Sequence, residues 1–331
     1  MLTQFSRIPS DPSRCLVSIN TKPYSSFIAK GGFGSVYLYK HPIDGKEYAI
    51  KRIRIHSPKD QITAFREIQL LSCLYHPHII RYHTSWLEED MEEGSLSVSD
   101  SSSLEEDSYS DQRMGFFQTK YVLCCQMEYC SSTLSDYLEF RNQLNRIREI
   151  QIQKEILEAI EFLHQQNIIH GDITPKNILL TYYGQVKLSD FGLSIVNQQS
   201  ISDGQMGGRS VYQAPEMDQI LEKELSPSLD IFNIGMILIE MNQQFKTRME
   251  IIHCFRKWKR NAELLPPFLF MRSYILHHIQ YKPSNRWTSS QSLTYIKEFQ
   301  KMYLECKSIL ENNLYAINEQ NGSFHHKSYC V

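Results

Sequence analysis

The sequence predicts an α+β protein with two lobes, a smaller lobe rich in β-strands and a larger lobe that is mainly helical. Strand-like segments dominate residues 25–130, whereas apolar residues spaced about 3.6 positions apart dominate residues 131–303. No internal repeat is present. The 331 residues can bury one large hydrophobic core or two modest ones. A chain that is 41% hydrophobic and 22% charged has an ordinary globular composition.

The small lobe is predicted to follow an N-terminal arm, residues 1–24, that holds prolines and little periodicity. Residues 27–53 have the β-branched and aromatic content of strands, interrupted by the turn HPIDGK. The helical spacing of KDQITAFREIQLLSCLY predicts a helix over 59–75. Two further segments, HIIRYHTSWLE and TKYVLCCQMEYC, are again typical of strands.

An acidic insert lies inside this lobe at residues 88–113. It contains ten Asp or Glu, eight Ser and one Arg, so we expect it to be disordered. The rest of the chain has 34 basic and 27 acidic residues, a net charge of about +7. That balance is compatible with an anionic ligand, although a mixed, solvated surface explains it equally well.

The large lobe is predicted from residue 131 to residue 303, and a tail follows at 304–331. In RIREIQIQKEILEAIEFLHQQ, one helical stripe is apolar: Ile152, Ile156, Ile160 and Leu163. The longest apolar run, IFNIGMILIEM, is too short to span a bilayer. We therefore expect no membrane association.

Eight cysteines lack C-x-x-C spacing, which favours reduced thiols over a disulfide or metal framework. The N-terminus has no apolar core of the kind that a signal peptide requires. Together these features predict a cytoplasmic protein.

The segment HGDITPKNILL, residues 170–180, resembles the catalytic loop of protein kinases, H-R-D-L-x-x-x-N. Other kinase-like motifs lie in the expected order. AKGGFGSVY resembles the glycine-rich loop, with Ala29 in place of its first glycine, and YAIK, FREIQLL, DFG, APE and DIFNIGMIL follow. These motifs cover residues 27–300, so the resemblance implies a two-lobed protein kinase fold.

The resemblance also implies roles for individual residues, with ATP and Mg²⁺ as cofactors. Lys51 would hold the ATP phosphates, Glu67 would orient Lys51, and Asp172 would be the catalytic base. Asn177 and Asp190 would hold Mg²⁺. Asp230 would brace the catalytic loop, and Arg286 would pair with Glu216. The implied ATP-binding residues, including a gatekeeper at 127 and a hinge at 128–130, are Ile28, Ala29, Gly31, Gly32, Phe33, Gly34, Val36, Ala49, Lys51, Met127, Glu128 and Cys130.

More narrowly, the chain resembles the kinases of the alpha subunit of eukaryotic translation initiation factor 2. The similarity lies in GGFGSVYLYKHPIDGKEYAIKRIRI, in the insert after SWLE, and in KTRMEIIHCF. In that family a Thr-x-Met-Glu pattern opens the helix on which the substrate docks; here the pattern is Thr247, Met249 and Glu250. An ordinary helix N-cap explains the same residues. The implied function is phosphorylation of a serine on that subunit, which lowers protein synthesis under stress.

Two alternatives stay open, a serine/threonine kinase of another subfamily and a catalytically impaired kinase-fold module that binds ATP or a partner. The catalytic loop departs from the kinase pattern at two positions. Gly171 replaces an Arg that holds a phosphorylated activation segment in many kinases, and Thr174 replaces a Lys. Arg209 stands where kinases have a Thr. We predict an exchange in which Arg209 supplies the missing charge and Thr174 hydrogen-bonds beneath it; otherwise Arg209 lies in solvent or Lys176 substitutes.

The predicted macromolecular partner is the alpha subunit, as protein substrate. The resemblance also suggests homodimerisation through the small lobe. Because the arm 1–24 and the tail 304–331 are short, we expect no RNA-binding, tRNA-sensing or membrane-spanning domain in this chain, and no direct contact with nucleic acid.

Overall fold

A computed structural model of the protein describes residues 26–31, 34–89, 121–196, 210–219 and 226–325. The chain divides into two compact units. The first consists of Met1–Tyr75 with Ile80–Tyr129, and the second consists of His76–Ile79 with Cys130–Val331.

The first unit is a five-stranded antiparallel sheet with one helix, and its strands lie in the order β1-β2-β3-β5-β4. Its elements are β1 (Ser26–Gly31), β2 (Gly34–Lys40), β3 (Glu47–Ile55), α1 (Pro58–Cys73), β4 (Tyr82–Glu89) and β5 (Tyr121–Glu128). Every strand and helix that the sequence predicted for this part of the chain is therefore confirmed.

The register of the sheet places small and functional side chains in one row. Ala29 pairs with Val36, Val36 with Lys51, and Lys51 with Cys125. Residues directly opposite one another on antiparallel strands project from the same face. Ala49 lies two residues before Lys51 on β3, so it projects from that face as well.

Helix α1 covers part of this face. Ser57 is its N-cap, accepting a hydrogen bond from the backbone N–H of Asp60, and Pro58 occupies the first turn. Ala64 of α1 belongs to a buried apolar cluster with four strand residues, Ile53, Ile55, Leu87 and Leu123. This packing sets the position of Glu67, one turn further along the helix.

The second unit is mainly helical, with short strand pairs near its functional loops. Its elements are β6 (Ser132–Thr133), α2 (Leu134–Phe140), α3 (Arg146–Gln165), β7 (Ile168–Ile169), β8 (Ile178–Leu180), β9 (Val186–Leu188), β10 (Ile195–Val196), α4 (Ser228–Asn242), α5 (Arg248–Arg260), α6 (Arg272–His278) and α7 (Ser289–His325). The predicted stripe on α3 is confirmed, because Ile152, Ile156, Ile160 and Leu163 are all buried.

Helix α4 forms the centre of this unit. All of its residues from Leu229 to Asn242 are buried, in agreement with its nearly continuous apolar sequence. The guanidinium of Arg141 holds its C-terminal end by donating to the carbonyl oxygens of Glu240, Met241 and Gln243. Carbonyl groups at a helix end lack partners within the helix, so this contact satisfies them.

Three boundaries differ from the sequence analysis. Cys130 and His76–Ile79 belong to the second unit, although the sequence analysis assigned them to the small lobe. Glu88 and Glu89 belong to β4, where they pair with Val122 and Tyr121, so the insert assigned to 88–113 begins too early. The rest of that insert and the arm 1–24 lie outside the described residues. Helix α7 runs to His325, well past residue 303. Within the described ranges, no helix has both the length and the hydrophobicity needed to cross a bilayer.

Because Glu88 is part of β4, the structure predicts which deletion of the insert preserves the stability of the fold. Glu88 accepts hydrogen bonds from the Trp86 indole at 2.7 Å and from Arg52 at 3.4 Å. Deleting residues 90–113 should leave the thermal unfolding temperature unchanged, because residues 114–120 can still join the paired residues Glu89 and Tyr121. Deleting 88–113 should lower it by about 2–4 °C, the shift that about 1 kcal/mol produces in a domain of this size. Equal unfolding temperatures for the two deletions in calorimetry would contradict this assignment.

Candidate active site

In the first unit, Lys51 and Glu67 form a shielded ion pair. The Lys51 Nζ atom lies 2.7 Å from Oε1 of Glu67, and Glu67 is only 5% exposed. The neighbouring thiol of Cys125 stays protonated, because burial and the charge of Glu67 raise its pKa. A lysine held in this way presents a fixed positive charge, which suits phosphate binding.

The glycine-rich segment is a hairpin between β1 and β2, in which Gly31 pairs with Gly34. Gly34 has a φ of 149°, and a Cβ atom there would lie 2.2 Å from the carbonyl oxygen of Arg52. Only glycine fits this position. A bulge in β1 separates the paired residues Phe27 and Ala29 and leaves Ile28 between them. Gly32 and Phe33, at the tip, lie outside the described residues.

The segment assigned to adenine, residues 127–130, begins at the end of β5. Met127 pairs with Ala49 across the sheet, so both side chains lie on the face that carries Lys51. Glu128 is held twice by Arg81, since its backbone N–H donates to the Arg81 carbonyl at 2.9 Å and its carboxylate accepts from the Arg81 N–H at 2.7 Å. Cys130 is half-buried and begins the second unit.

In the second unit, the buried carboxylate of Asp230 holds the start of the catalytic loop. Its two oxygens accept hydrogen bonds from the backbone N–H groups of His170 and Gly171, each at 2.9 Å. Burial would raise the pKa of Asp230, but the hydrogen bond and charge of His164, with contributions from His170 and the Gly171 N–H, lower it overall. Asp230 is therefore ionised and braces the loop.

Gly171 has a φ of 81°, in the left-handed region that side chains other than glycine rarely adopt. A Cβ atom there would lie 3.1 Å from the Leu193 carbonyl oxygen. The residue that replaces the usual Arg therefore also matches a backbone conformation that favours glycine.

Asn177, at the other end of the loop, contacts Asp172 near its start. The Asn177 side-chain amide donates to the Asp172 carboxylate at 3.0 Å and to its backbone carbonyl at 2.8 Å. Burial raises the pKa of Asp172, and the nearby charge of Asp190 raises it further, against the lowering effects of His170 and Asn177. A carboxylate with a raised pKa, oriented by an amide, is suited to accept a proton.

Asp190 lies beside this pair. The backbone N–H and hydroxyl of Ser189 both donate to the Asn177 carbonyl, at 2.9 and 3.0 Å. Asp190 has a φ of 65°, an unusual conformation for a residue other than glycine and one that is often found at functional sites. Carboxylate and amide oxygens are hard ligands of the kind that Mg²⁺ prefers, so Asn177 and Asp190 fit the implied metal.

Arg286 holds the APE segment. Its guanidinium makes two parallel contacts with the Glu216 carboxylate, at 2.5 and 2.7 Å, and also donates to the Ser228 carbonyl at 3.0 Å. The predicted pairing of Arg286 with Glu216 is thus present, and it ties the segment to the beginning of α4.

The segment assigned to substrate docking opens α5. Thr247 is the N-cap, since its hydroxyl accepts from the Glu250 N–H at 3.2 Å, and the Glu250 carboxylate accepts from the Lys246 N–H at 2.8 Å. Both side chains therefore have a structural role. Met249, between them, is 71% exposed.

The structure describes two of the three residues that concern the predicted exchange of charge. Thr174 is half-buried and Lys176 is exposed, whereas Arg209 lies outside the described residues. The sequence analysis missed His164, which contacts Asp230 at 2.9 Å. No motif marks it, because it lies 66 positions from Asp230 within an ordinary helical segment.

Comparisons with known proteins show which family the chain belongs to. A protein kinase domain model matches residues 24–296. The interferon-induced, double-stranded RNA-activated protein kinase of Mus musculus is 31% identical over 76% of this chain and 47% of its own length. The eIF-2-alpha kinase GCN2 of Arabidopsis thaliana is 30% identical over 75% of this chain and 22% of its own. Serine/threonine-protein kinase pakH of Dictyostelium discoideum is 29% identical over 65% and 36%.

The chain thus spans half or less of the length of these curated relatives. The family match, in contrast, extends over most of the chain and contains the loop, metal and lysine positions described above. This chain belongs to the protein kinase family.

Proposed function

We propose that the chain is an active serine/threonine kinase that transfers the γ-phosphate of ATP, with Mg²⁺, to a serine of the alpha subunit of translation initiation factor 2. Such a reaction would lower protein synthesis under stress. The observation that carries the proposal is the geometry around Asp172, where a partly buried carboxylate is oriented by Asn177 and lies close to Asp190.

Each residue has a distinct part in the proposed reaction. Lys51, fixed by Glu67, binds the phosphates of ATP. Asp172 accepts the proton of the substrate hydroxyl while Asn177 holds its carboxylate in place. Asn177 and Asp190 hold Mg²⁺, which supplies charge neutralisation at the phosphates when bound. Transfer depends mainly on positioning and on electrostatic stabilisation, and these residues supply both.

The raised pKa of Asp172 has two consequences. Proton acceptance requires the ionised form, so activity should fall as the pH drops through that raised pKa. Ionised Asp172 also costs the folded state free energy at any pH above its ordinary pKa of 3.8, because the folded state binds the proton more tightly than the unfolded chain. Neutralising Asp172 should therefore not destabilise the fold at neutral pH.

The choice of substrate rests on the insert position, on the opening of α5, and on similarity to a kinase named for eIF-2-alpha. Met249 supports docking, because a large apolar side chain that is mostly exposed can be buried by a partner. Serine/threonine-protein kinase pakH is almost as similar to this chain as the eIF-2-alpha kinase is. A serine/threonine kinase of another subfamily is therefore the second candidate.

Thr174 replaces the lysine of the usual catalytic loop, and Arg209 replaces a threonine. Another cation must therefore neutralise the γ-phosphate. We infer that Arg209 supplies it and that Thr174 takes the hydrogen-bonding role of the usual Thr. The exposed position of Lys176 supports this choice over the rival, since a solvated lysine lacks the fixed placement that charge stabilisation requires.

The function is tested by mixing the purified chain with MgATP and recombinant alpha subunit. We expect serine phosphorylation, and we expect Asp172→Asn to reduce kcat by about 10²–10⁴ without lowering the unfolding temperature. Phosphorylation of generic peptides but not of the subunit would favour another subfamily. Absence of turnover by the folded parent would favour the impaired, ATP-binding module.

Docking on α5 is tested with three variants. Met249→Ala and Thr247→Ala should each raise KM for the folded subunit about tenfold, roughly the 1.4 kcal/mol that a modest interface contact contributes, with KM for ATP unchanged. Thr247→Ser keeps the capping oxygen and is the matched control for the helix end. If only Thr247→Ala has an effect, and it also lowers the free energy of unfolding by the roughly 1 kcal/mol of a lost cap, these residues have a structural role alone.

The Arg209 assignment is tested by charge removal and by restoring the usual pattern. Arg209→Ala should lower kcat by about tenfold or more with little change in KM for ATP, because one preorganised donor is lost. Combining Thr174→Lys with Arg209→Thr should recover much of that loss. An active Arg209→Ala variant beside an inactive Lys176→Ala variant would assign the compensating charge to Lys176.

A further inference from the structure

The outer face of α5 carries three exposed cations, Arg256, Lys257 and Arg260, which we call the basic stripe. Residues three or four positions apart lie on the same side of a helix. The stripe therefore continues the line that begins with the exposed side chains of Met249 and His253. With a rise of about 1.5 Å per residue, the two arginines lie roughly 10 and 16 Å along the helix from Met249.

The opposite face of α5 is fixed to the rest of the second unit. Phe255 and Trp258 are buried there, and the Phe255 ring packs edge-on against Tyr212 at 5.6 Å between ring centroids. Lys259 donates to the backbone carbonyl of Gln213 at 2.5 Å. The helix is thus held by the segment that precedes the APE motif. A surface fixed in this way loses little conformational freedom when a partner binds.

The basic stripe lacks acidic partners within this part of the fold. On α7, by contrast, Lys307 pairs with Glu311 one turn away. None of the three cations of the stripe forms such a pair with a residue that the structure describes. The carboxylate that follows the helix, Glu263, is bound by Arg272 at 3.0 Å instead.

Folding alone does not account for three neighbouring cations. The partial negative charge at the C-terminal end of a helix favours a basic residue in the last turn. Like charges three or four positions apart repel each other, however, and destabilise the helix. Arg256 and Arg260 are four positions apart, and Lys257 and Arg260 are three apart. An acidic partner would remove this repulsion.

The line of exposed side chains favours a protein partner over a nucleic acid. Met249, at the start of the line, is 71% exposed and offers an apolar contact. Glu250, beside it, would repel a phosphate backbone. A protein surface can supply both an apolar contact for the methionine and acidic side chains further along the helix. The structure thus predicts acidic groups roughly 10–16 Å from the site that receives Met249.

We propose that the basic stripe docks an acidic surface of the protein substrate, the alpha subunit of translation initiation factor 2. This inference rests on the proposed function, because the partner is the substrate of the proposed reaction. It extends the docking surface from the first turn of α5 to the whole length of the helix. Charge complementarity of this kind gives a partner specificity and speeds its association.

The charge of the stripe is tested by the double variant Arg256→Glu with Arg260→Glu. It should raise KM for the folded subunit about tenfold or more at about 0.05 M salt, without lowering kcat, because these charges act on docking rather than on transfer. At about 0.5 M salt the difference should nearly vanish, since the Debye length is then well below the roughly 8 Å of physiological salt. The neutral double variant Arg256→Gln with Arg260→Gln should have an intermediate KM.

Two control pairs isolate the position and the sign of the charge. Lys301→Glu with Lys307→Glu makes the same change in net charge at exposed lysines of α7 and should leave KM for the subunit unchanged. Arg256→Lys with Arg260→Lys keeps the charge and should retain most of the affinity. Equal rises in KM for the two charge-reversed pairs would overturn the proposal. If thermal unfolding shows that the reversed pair on α5 is unfolded, the Gln pair decides the test.

Titration calorimetry without ATP separates this inference from the proposed function. Salt-dependent binding of the subunit that the reversal weakens, in a chain that does not phosphorylate the subunit, would support the surface and reject the reaction. Phosphorylation with KM and affinity unaffected by the reversal would reject the surface and leave the reaction intact. Absence of binding to the folded parent would reject both.

Nucleic acid is tested as the other polyanion. Binding of an RNA duplex to the parent, measured by fluorescence anisotropy, should be no stronger than its binding to the charge-reversed pair on α5. An RNA duplex that only the parent binds, together with an unchanged KM for the subunit, would assign the basic stripe to nucleic acid and overturn the proposal.

Discussion

The buried carboxylate of Asp230 is the contact on which the arrangement of the catalytic loop depends. An ionised carboxylate inside a protein core is stable only when hydrogen bonds replace its lost hydration, and here three donors do so. Two of these donors belong to the loop backbone. Removing a partner of such a group typically costs about 3–5 kcal/mol, so the loop and the helix α4 hold each other in place.

The contact between Asp230 and the catalytic loop is more important because residue 171 is a glycine. In kinases with an arginine there, a side chain can connect the loop to a phosphorylated activation segment, and that connection can control activity. Gly171 makes only backbone contacts, and its positive φ favours glycine. Gly171 therefore has no side chain that could make this connection. The position of the loop depends instead on the interior of the second unit.

The start of α5 shows how a recognition pattern and a folding signal can share the same residues. Thr247 and Glu250 satisfy backbone N–H groups at the helix N-terminus, which is sufficient to explain their residue types. Met249 has no such explanation, because its side chain is largely exposed and contributes little to folding. The docking interpretation therefore depends more on the methionine than on the two polar residues of the pattern.

The sequence by itself determined the elements of the first unit, the apolar stripe of α3, the long apolar run that forms α4 and the order of the site residues. Periodicity and motif spacing report these features because they are local along the chain. Only the tertiary structure decided that Glu88 and Glu89 extend β4, since pairing with residues 121 and 122 places them there. It also decided that His164 contacts Asp230 and Ser289, which are 66 and 125 positions away. Contacts over such separations arise from packing, and no local pattern of residues encodes them.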